Sequence, residues 1–219
     1  MNKEIIQIQL ALFFQPDFTG SFEDFSLKLK NKLGQSKITQ LLPVPPDAPF
    51  EIPRLVLNYD NFNINVSKNR IDLFLKDTTL LKENIQNISD VILNQLFLSI
   101  GRVGFVKKYF IDKGIEDLKS VLVNDRIRNL DLKEIGIRIN EHKIIEGYNC
   151  NNIENLFTGL IIKKSDTGKD MEQEGIIVIR DVNTSPSEFK KKKFYQVEIN
   201  KLIDTFDKET DNLIIFSNK

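Results

Sequence analysis

The chain has 219 residues, sets 31 Lys and Arg against 31 Asp and Glu, and is 41% hydrophobic with sixteen Phe. It holds one His, one Cys and no Trp, so His142 and Cys150 cannot build a zinc finger or ribbon, which needs about four such ligands. The even charge also excludes a whole-chain field that would gather nucleic acid or an anionic membrane, leaving any such site to a local cluster.

Residues 5–14 alternate, with Ile6, Ile8, Leu10, Leu12 and Phe14 on one face and Ile5, Gln7, Gln9, Ala11 and Phe13 on the other. Period two means a strand, not a signal peptide, and the run is too short for a bilayer span of about 20 residues. A lone cysteine, with no internal disulfide available, fits a cytoplasmic protein with no membrane partner. Ser21 then precedes Phe22, Phe25 and Leu29 at helical spacing, with Glu23 and Asp24 in the first turn and Gly34 as the stop.

Five of the seven prolines fall in 43–53, which reads as an extended surface connection. Leu55 and Leu57 open a strand. Phe62, Ile64 and Val66 alternate with asparagines, Ser67 to Arg70 supplies a turn, and Ile71, Leu73 and Leu75 return as the second arm of a hairpin. Ile85, Ile88, Ile92 and Leu96 predict a helix across 79–100 that ends at Gly101. Val103, Phe105 and Tyr109 come next as a strand, with a short helix around 115–123.

The second half keeps a similar rhythm. Ile135, Ile137 and Ile139 read as a strand, NEHKII as a turn holding His142, 153–163 as a strand and 168–175 as a polar loop. Ile176 to Val182 is a β-branched run suited to a strand buried on both faces. Ser185 or Ser187 offers an N-cap, Ile199, Leu202, Ile203 and Phe206 mark a C-terminal helix, and Leu213 to Phe216 is a last apolar run. The order argues an α+β fold, a largely antiparallel sheet with helices packed on one face, in two similar halves, 1–124 and 125–219, packed as one compact unit.

Few residues offer chemistry. Lys190, Lys191, Lys192 and Lys193 with Phe194 and Tyr195 could neutralise a phosphate backbone and stack a base, and Lys107, Lys108 and Tyr109 could extend that surface. The commoner reading makes these lysines the solvated start of the C-terminal helix and Phe194 part of the core. Arg180 and Asp181 sit at a strand end, where ligand sites collect, although neighbours of opposite charge are more often an ion pair. Asp60 and Asp72 have no reason to lie side by side. His142 has no evident orienting partner, and nothing nearby would lower the Cys150 thiol pKa. Gly101 and Gly104 come after a helix and precede a strand, the reverse of a nucleotide-binding glycine turn.

The layout resembles a sporadically distributed bacterial family of uncharacterised α+β proteins. The likeness is carried by the strand exit Phe14, Gln15, Pro16, the proline-bearing connection, the hairpin DNFNINVSKNRIDLFLK, the strand RVGFVKKYFI, and the close GIIVIRDVNT, helix, NLIIF. The stretch 124–170 is poorly matched. The resemblance implies carriage on mobile elements or prophages and a role in conflict between bacteria and phages. It brings no active-site residues.

The expected function is therefore a non-enzymatic regulatory protein that binds another protein or forms a homodimer through sheet edges, as an inhibitor or accessory factor, with no cofactor and no metal. The alternative is a nucleic-acid-binding module on Lys190 to Lys193. An enzyme built on Arg180 and carboxylates with Mg²⁺ ranks last, because no acidic cluster has metal-ligand spacing.

Overall fold

The computed structural model describes residues 3–120, 122, 131–164, 170–189 and 191–216. Along the chain run β1 (Lys3–Gln15), α1 (Phe22–Leu33), β2 (Ile38–Leu41), β3 (Leu55–Asn58), β4 (Phe62–Val66), β5 (Arg70–Leu75) and α2 (Leu81–Asp90). A π-helical turn (Val91–Gln95) continues α2 and leads to β6 (Ser99–Ile111) and α3 (Ile115–Lys119). The chain then forms β7 (Gly136–Ile145), β8 (Tyr148–Lys164), β9 (Asp170–Thr184) and α4 (Gln196–Asp211). The nine strands make one antiparallel sheet in the order β2-β3-β4-β5-β1-β6-β9-β8-β7. The class is α+β.

Strand alternation sorts the side chains into two faces. On the first, Ile8, Leu10, Leu12 and Phe14 of β1 join Leu55, Leu57, Ile64, Val66, Ile71 and Leu73 in one buried cluster with Phe25 and Leu29 of α1, Ile85 and Ile88 of α2, and Ile199, Leu202 and Phe206 of α4. Burying a Leu, Ile or Phe side chain contributes about 1.5–3 kcal/mol, and this cluster holds the largest share of the buried apolar residues. A second cluster joins Tyr109, Leu118, Leu156, Ile176, Val178 and Leu213. Among the described residues no helix is long and apolar enough to cross a membrane.

Several boundaries differ from the sequence reading. The helix expected across 79–100 ends at the π-helical turn, and Gly101 lies inside β6, where an added Cβ would meet the Phe189 carbonyl oxygen at 2.5 Å. Its stop is Phe97, a non-glycine residue at φ 55°. His142 belongs to β7 rather than to a turn. The turn comes later, at Glu146 and Gly147 with φ of 53° and 80°, the two positive values that suit a tight hairpin. Residues 170–175, expected in a loop, belong to β9, and β2 was not anticipated at all. Ser185 caps a single turn of 3₁₀ helix, whereas α4 starts only at Gln196.

Candidate functional site

The charged residues nearest the core anchor α4 to the sheet. Lys107 on β6 is buried beneath the last turns of α4, where its Nζ lies 2.7 Å from Asp207 Oδ1 and 2.7 Å from Asp211 Oδ1 and donates to the Asp207 carbonyl at 3.0 Å. Tyr109, two residues along on the same face, donates to Asp211 Oδ1 at 2.8 Å and to the Thr210 carbonyl at 3.1 Å. Lys3 reaches the Asp211 carbonyl and covers the Tyr109 ring at 4.6 Å. Burial and the neighbouring Asp211 carboxylate push the Tyr109 hydroxyl pKa well up, so the phenol stays protonated as a donor.

Arg180 on β9 completes the anchor. Its Nη1 donates to the Ile153 carbonyl at 3.1 Å, and its Nη2 donates to Asn152 Oδ1 at 2.7 Å and the Glu209 carbonyl at 3.2 Å. Its Nε lies 3.6 Å from Glu154 Oε2, beyond hydrogen-bonding distance. The Glu154 carboxylate instead accepts from the backbone N–H groups of Ile214 and Ile215, at 2.6 and 2.9 Å. Lys107 and Arg180 thus bring cations to the exposed carbonyls of a helix C-terminus, where the helix dipole favours them.

Neighbours in a strand face opposite ways, and this separates the residues that the sequence set together. Asp181 points to the second face and accepts from Asn183 Nδ2 at 2.8 Å, so Arg180 and Asp181 are not a pair. Lys108 also lies on the second face, away from Lys107. Lys191, Lys192 and Lys193 are exposed just before the N-terminus of α4, while Lys107 and Tyr109 sit beneath its C-terminus, about 24 Å away along a 16-residue helix. These groups do not form one basic surface. Lys190 lies outside the described residues. Phe194 is buried, bridged to Ile100 and edge-on to Tyr148 at 4.9 Å, while Tyr195 is 71% exposed. His142 and Cys150 lie on opposite faces of the β7–β8 hairpin. Asp60 pairs with Lys37, and Asp72 with Arg70.

The surface that sequence reasoning missed lies where α2 ends. The Leu96 N–H reaches back to Val91 and the Leu98 N–H to Ile92, both at 3.0 Å, which closes the wide π-helical turn and forces Phe97 into the left-handed region. There the ring is 84% exposed. Tyr195 and Val197, 71% and 78% exposed at the start of α4, stand across a groove of about 550 Å³ floored by Leu93 and Leu98 and edged by Lys193. The start of α4 is held firmly. The Tyr195 N–H donates to Glu198 Oε2 at 2.9 Å, and Tyr148 donates to Glu198 Oε1 at 2.6 Å, which pulls the Glu198 pKa down.

Two further clefts are lined mainly by polar residues. One of about 710 Å³ brings Asp112, Asp117, Glu134 and Glu174 together with Lys113 and Lys133, and Lys113 bonds Asp117 at 3.1 Å. No group of three or more His, Cys, Asp or Glu among the described residues is placed to hold a metal ion. A scan against protein-family models and a search of curated proteins find no match to this chain.

Proposed function

We propose that this is a non-enzymatic docking protein that takes an apolar segment bearing acidic residues into the groove between Phe97 and Tyr195. The supporting observation is Phe97 itself. A large aromatic held in a conformation that favours glycine, and turned almost wholly to solvent, sacrifices stability locally, and such outliers gather where binding needs them. Aromatic residues also supply most interface anchors. The rim decides the chemistry of the occupant, because Lys193 edges the groove, two further exposed lysines precede it in the chain, and such cations complement acidic residues. In the phage–host conflict that the family likeness implies, such a protein would act as a regulator, an inhibitor or an accessory factor.

Self-association through β7 completes the reading. This strand ends the sheet, and Arg138, Asn140, Glu141, His142 and Ile144 along it are exposed. With a two-fold axis at His142, antiparallel pairing sets Glu141 opposite Lys143 of the second copy, twice. Centring on Glu141 or Lys143 instead places like charges opposite each other, which destabilises a strand pair. Oxidation of a His142→Cys variant should give a cross-linked dimer. Cross-linking no faster than in an Ile144→Cys control would remove the homodimer.

The docking claim is tested by affinity capture from host lysate, with and without nuclease, comparing wild type and Phe97→Glu. The reading expects a stoichiometric protein that survives nuclease and is lost with Phe97→Glu, while that variant melts at the wild-type temperature. Equal capture by Phe97→Glu would overturn it. Recovery of nucleic acid alone would favour the alternative, a nucleic-acid-binding module on Lys190 to Lys193.

A further inference from the structure

We propose that the second face of the sheet holds a phosphate-type oxyanion between Arg70 and Arg102, above the ring of Phe13. This site is independent of the docking groove. Phe13 of β1 is the register partner of Arg70 on β5 and of Arg102 on β6. Both guanidinium carbons lie over its ring, 5.4 and 4.6 Å from the centroid. Two like charges brought to one ring repel each other, and a bound anion relieves that repulsion. Arg102 feels it. Burial lowers its pKa and Arg70 lowers it further, against the pull of Asp181.

Each guanidinium is held from one side only. Arg70 Nε donates to Asp72 Oδ2 at 2.8 Å, and the other Asp72 oxygen accepts from Gln9 Nε2 at 2.9 Å. Arg102 Nε donates to the Thr184 carbonyl at 3.0 Å and its Nη2 to Asn183 Oδ1 at 2.9 Å. Both Nη atoms of Arg70 and Nη1 of Arg102 have no hydrogen-bond partner among the described residues. Fixed forks with spare donors suit a tetrahedral oxyanion, and their fixed geometry lowers the entropy lost on binding.

The surroundings favour the same ligand. Next along the strands, Ala11 and Gly104 are register partners, both buried, and a Cβ on Gly104 would meet Asn183 Cβ at 3.4 Å, so the ligand would rest on the Phe13 ring and the two guanidinium groups alone. The nearest carboxylates are already engaged, Asp72 as above and Asp181 by Asn183. Burial raises both their pKa values, against the pull of the neighbouring arginines. A small phosphate compound and the backbone of a single-stranded nucleic acid share this chemistry.

The test is a titration of the full chain with sodium pyrophosphate at constant ionic strength, followed by the NMR signals of the arginine Nε–H groups. The expected result is a saturable shift of the Arg70 and Arg102 signals with a dissociation constant below about 1 mM, weakened about tenfold in Arg102→Gln. Arg70→Lys keeps the charge but loses the fork, and should weaken binding by a smaller factor. Thermal unfolding checks that both variants remain folded. No saturable shift in wild type, a shift confined to lysine signals, or equal binding by Arg102→Gln would overturn the proposal. Once pyrophosphate binds, a short oligothymidylate separates the sources. Tighter, steeply salt-dependent binding identifies a nucleic-acid strand, and weaker binding a small phosphate compound.

Discussion

Arg180 and Arg102 sit on adjacent strands of one sheet, facing opposite sides, and their surroundings differ in kind. Arg180 is enclosed between the sheet and the end of α4, with carbonyls and an amide as its acceptors. Arg102 is half-buried on the second face, bonded along one edge, with another arginine across a phenyl ring. The first arrangement consumes its charge in holding a helix. The second leaves donors spare, and that difference between the two arginines is what the oxyanion proposal rests on.

The largest effect that could break this contrast is expected at Arg180. Arg180→Met leaves Glu154 buried without its cation and should cost about 3–5 kcal/mol in urea unfolding. A loss below about 1 kcal/mol would mean that the α4 anchor is not structural. Lys107→Met should come next, at about 1.5–3 kcal/mol, because Asp211 is half exposed and water can replace the ammonium there, whereas Asp207 Oδ1 is buried and loses its cation.

The two faces should also respond to pH with opposite sign. Burial raises the Asp211 pKa, yet hydrogen bonds from Lys107 and Tyr109 outweigh it and the net value is lowered. A lowered folded pKa gives stability that is present above the unfolded value of about 3.9 and lost as pH falls through the folded one. Asp181 on the second face is raised by burial, so its contribution is full below about 3.9 and lost as pH rises through the folded pKa. Asp211→Asn should therefore lower the melting temperature at pH 7, and Asp181→Asn should raise it, with both differences shrinking at pH 3. Shifts of the same sign at pH 7 would erase the contrast.

Local patterns were legible in the sequence where the physics is local. The alternation of Ile8, Leu10, Leu12 and Phe14, the Ser21 cap, the Gly34 stop and the 62–75 hairpin all stand in the structure. The end of α2 was not legible, because a helix stop in the left-handed region is sought at glycine, and here Phe97 supplies it. Gly101, the next glycine, instead serves the close approach of Phe189. His142 was misplaced because a polar NEH run reads as a turn, whereas the hairpin turns at Glu146 and Gly147. The separation of Arg180 from Asp181 was available from alternation alone. Pairing Arg70 with Arg102 was not, since their common neighbour Phe13 is fixed by long-range register.

The smallest energetic effect tests the docking claim most directly. In Phe97→Gly the left-handed backbone is relieved and the exposed ring removed, so stability should stay level or rise by up to about 1 kcal/mol. Thermal unfolding and partner capture should be measured on the same preparation of wild type and Phe97→Gly. The account predicts an unchanged or higher melting temperature together with loss of the captured protein. Undiminished capture by Phe97→Gly would contradict it.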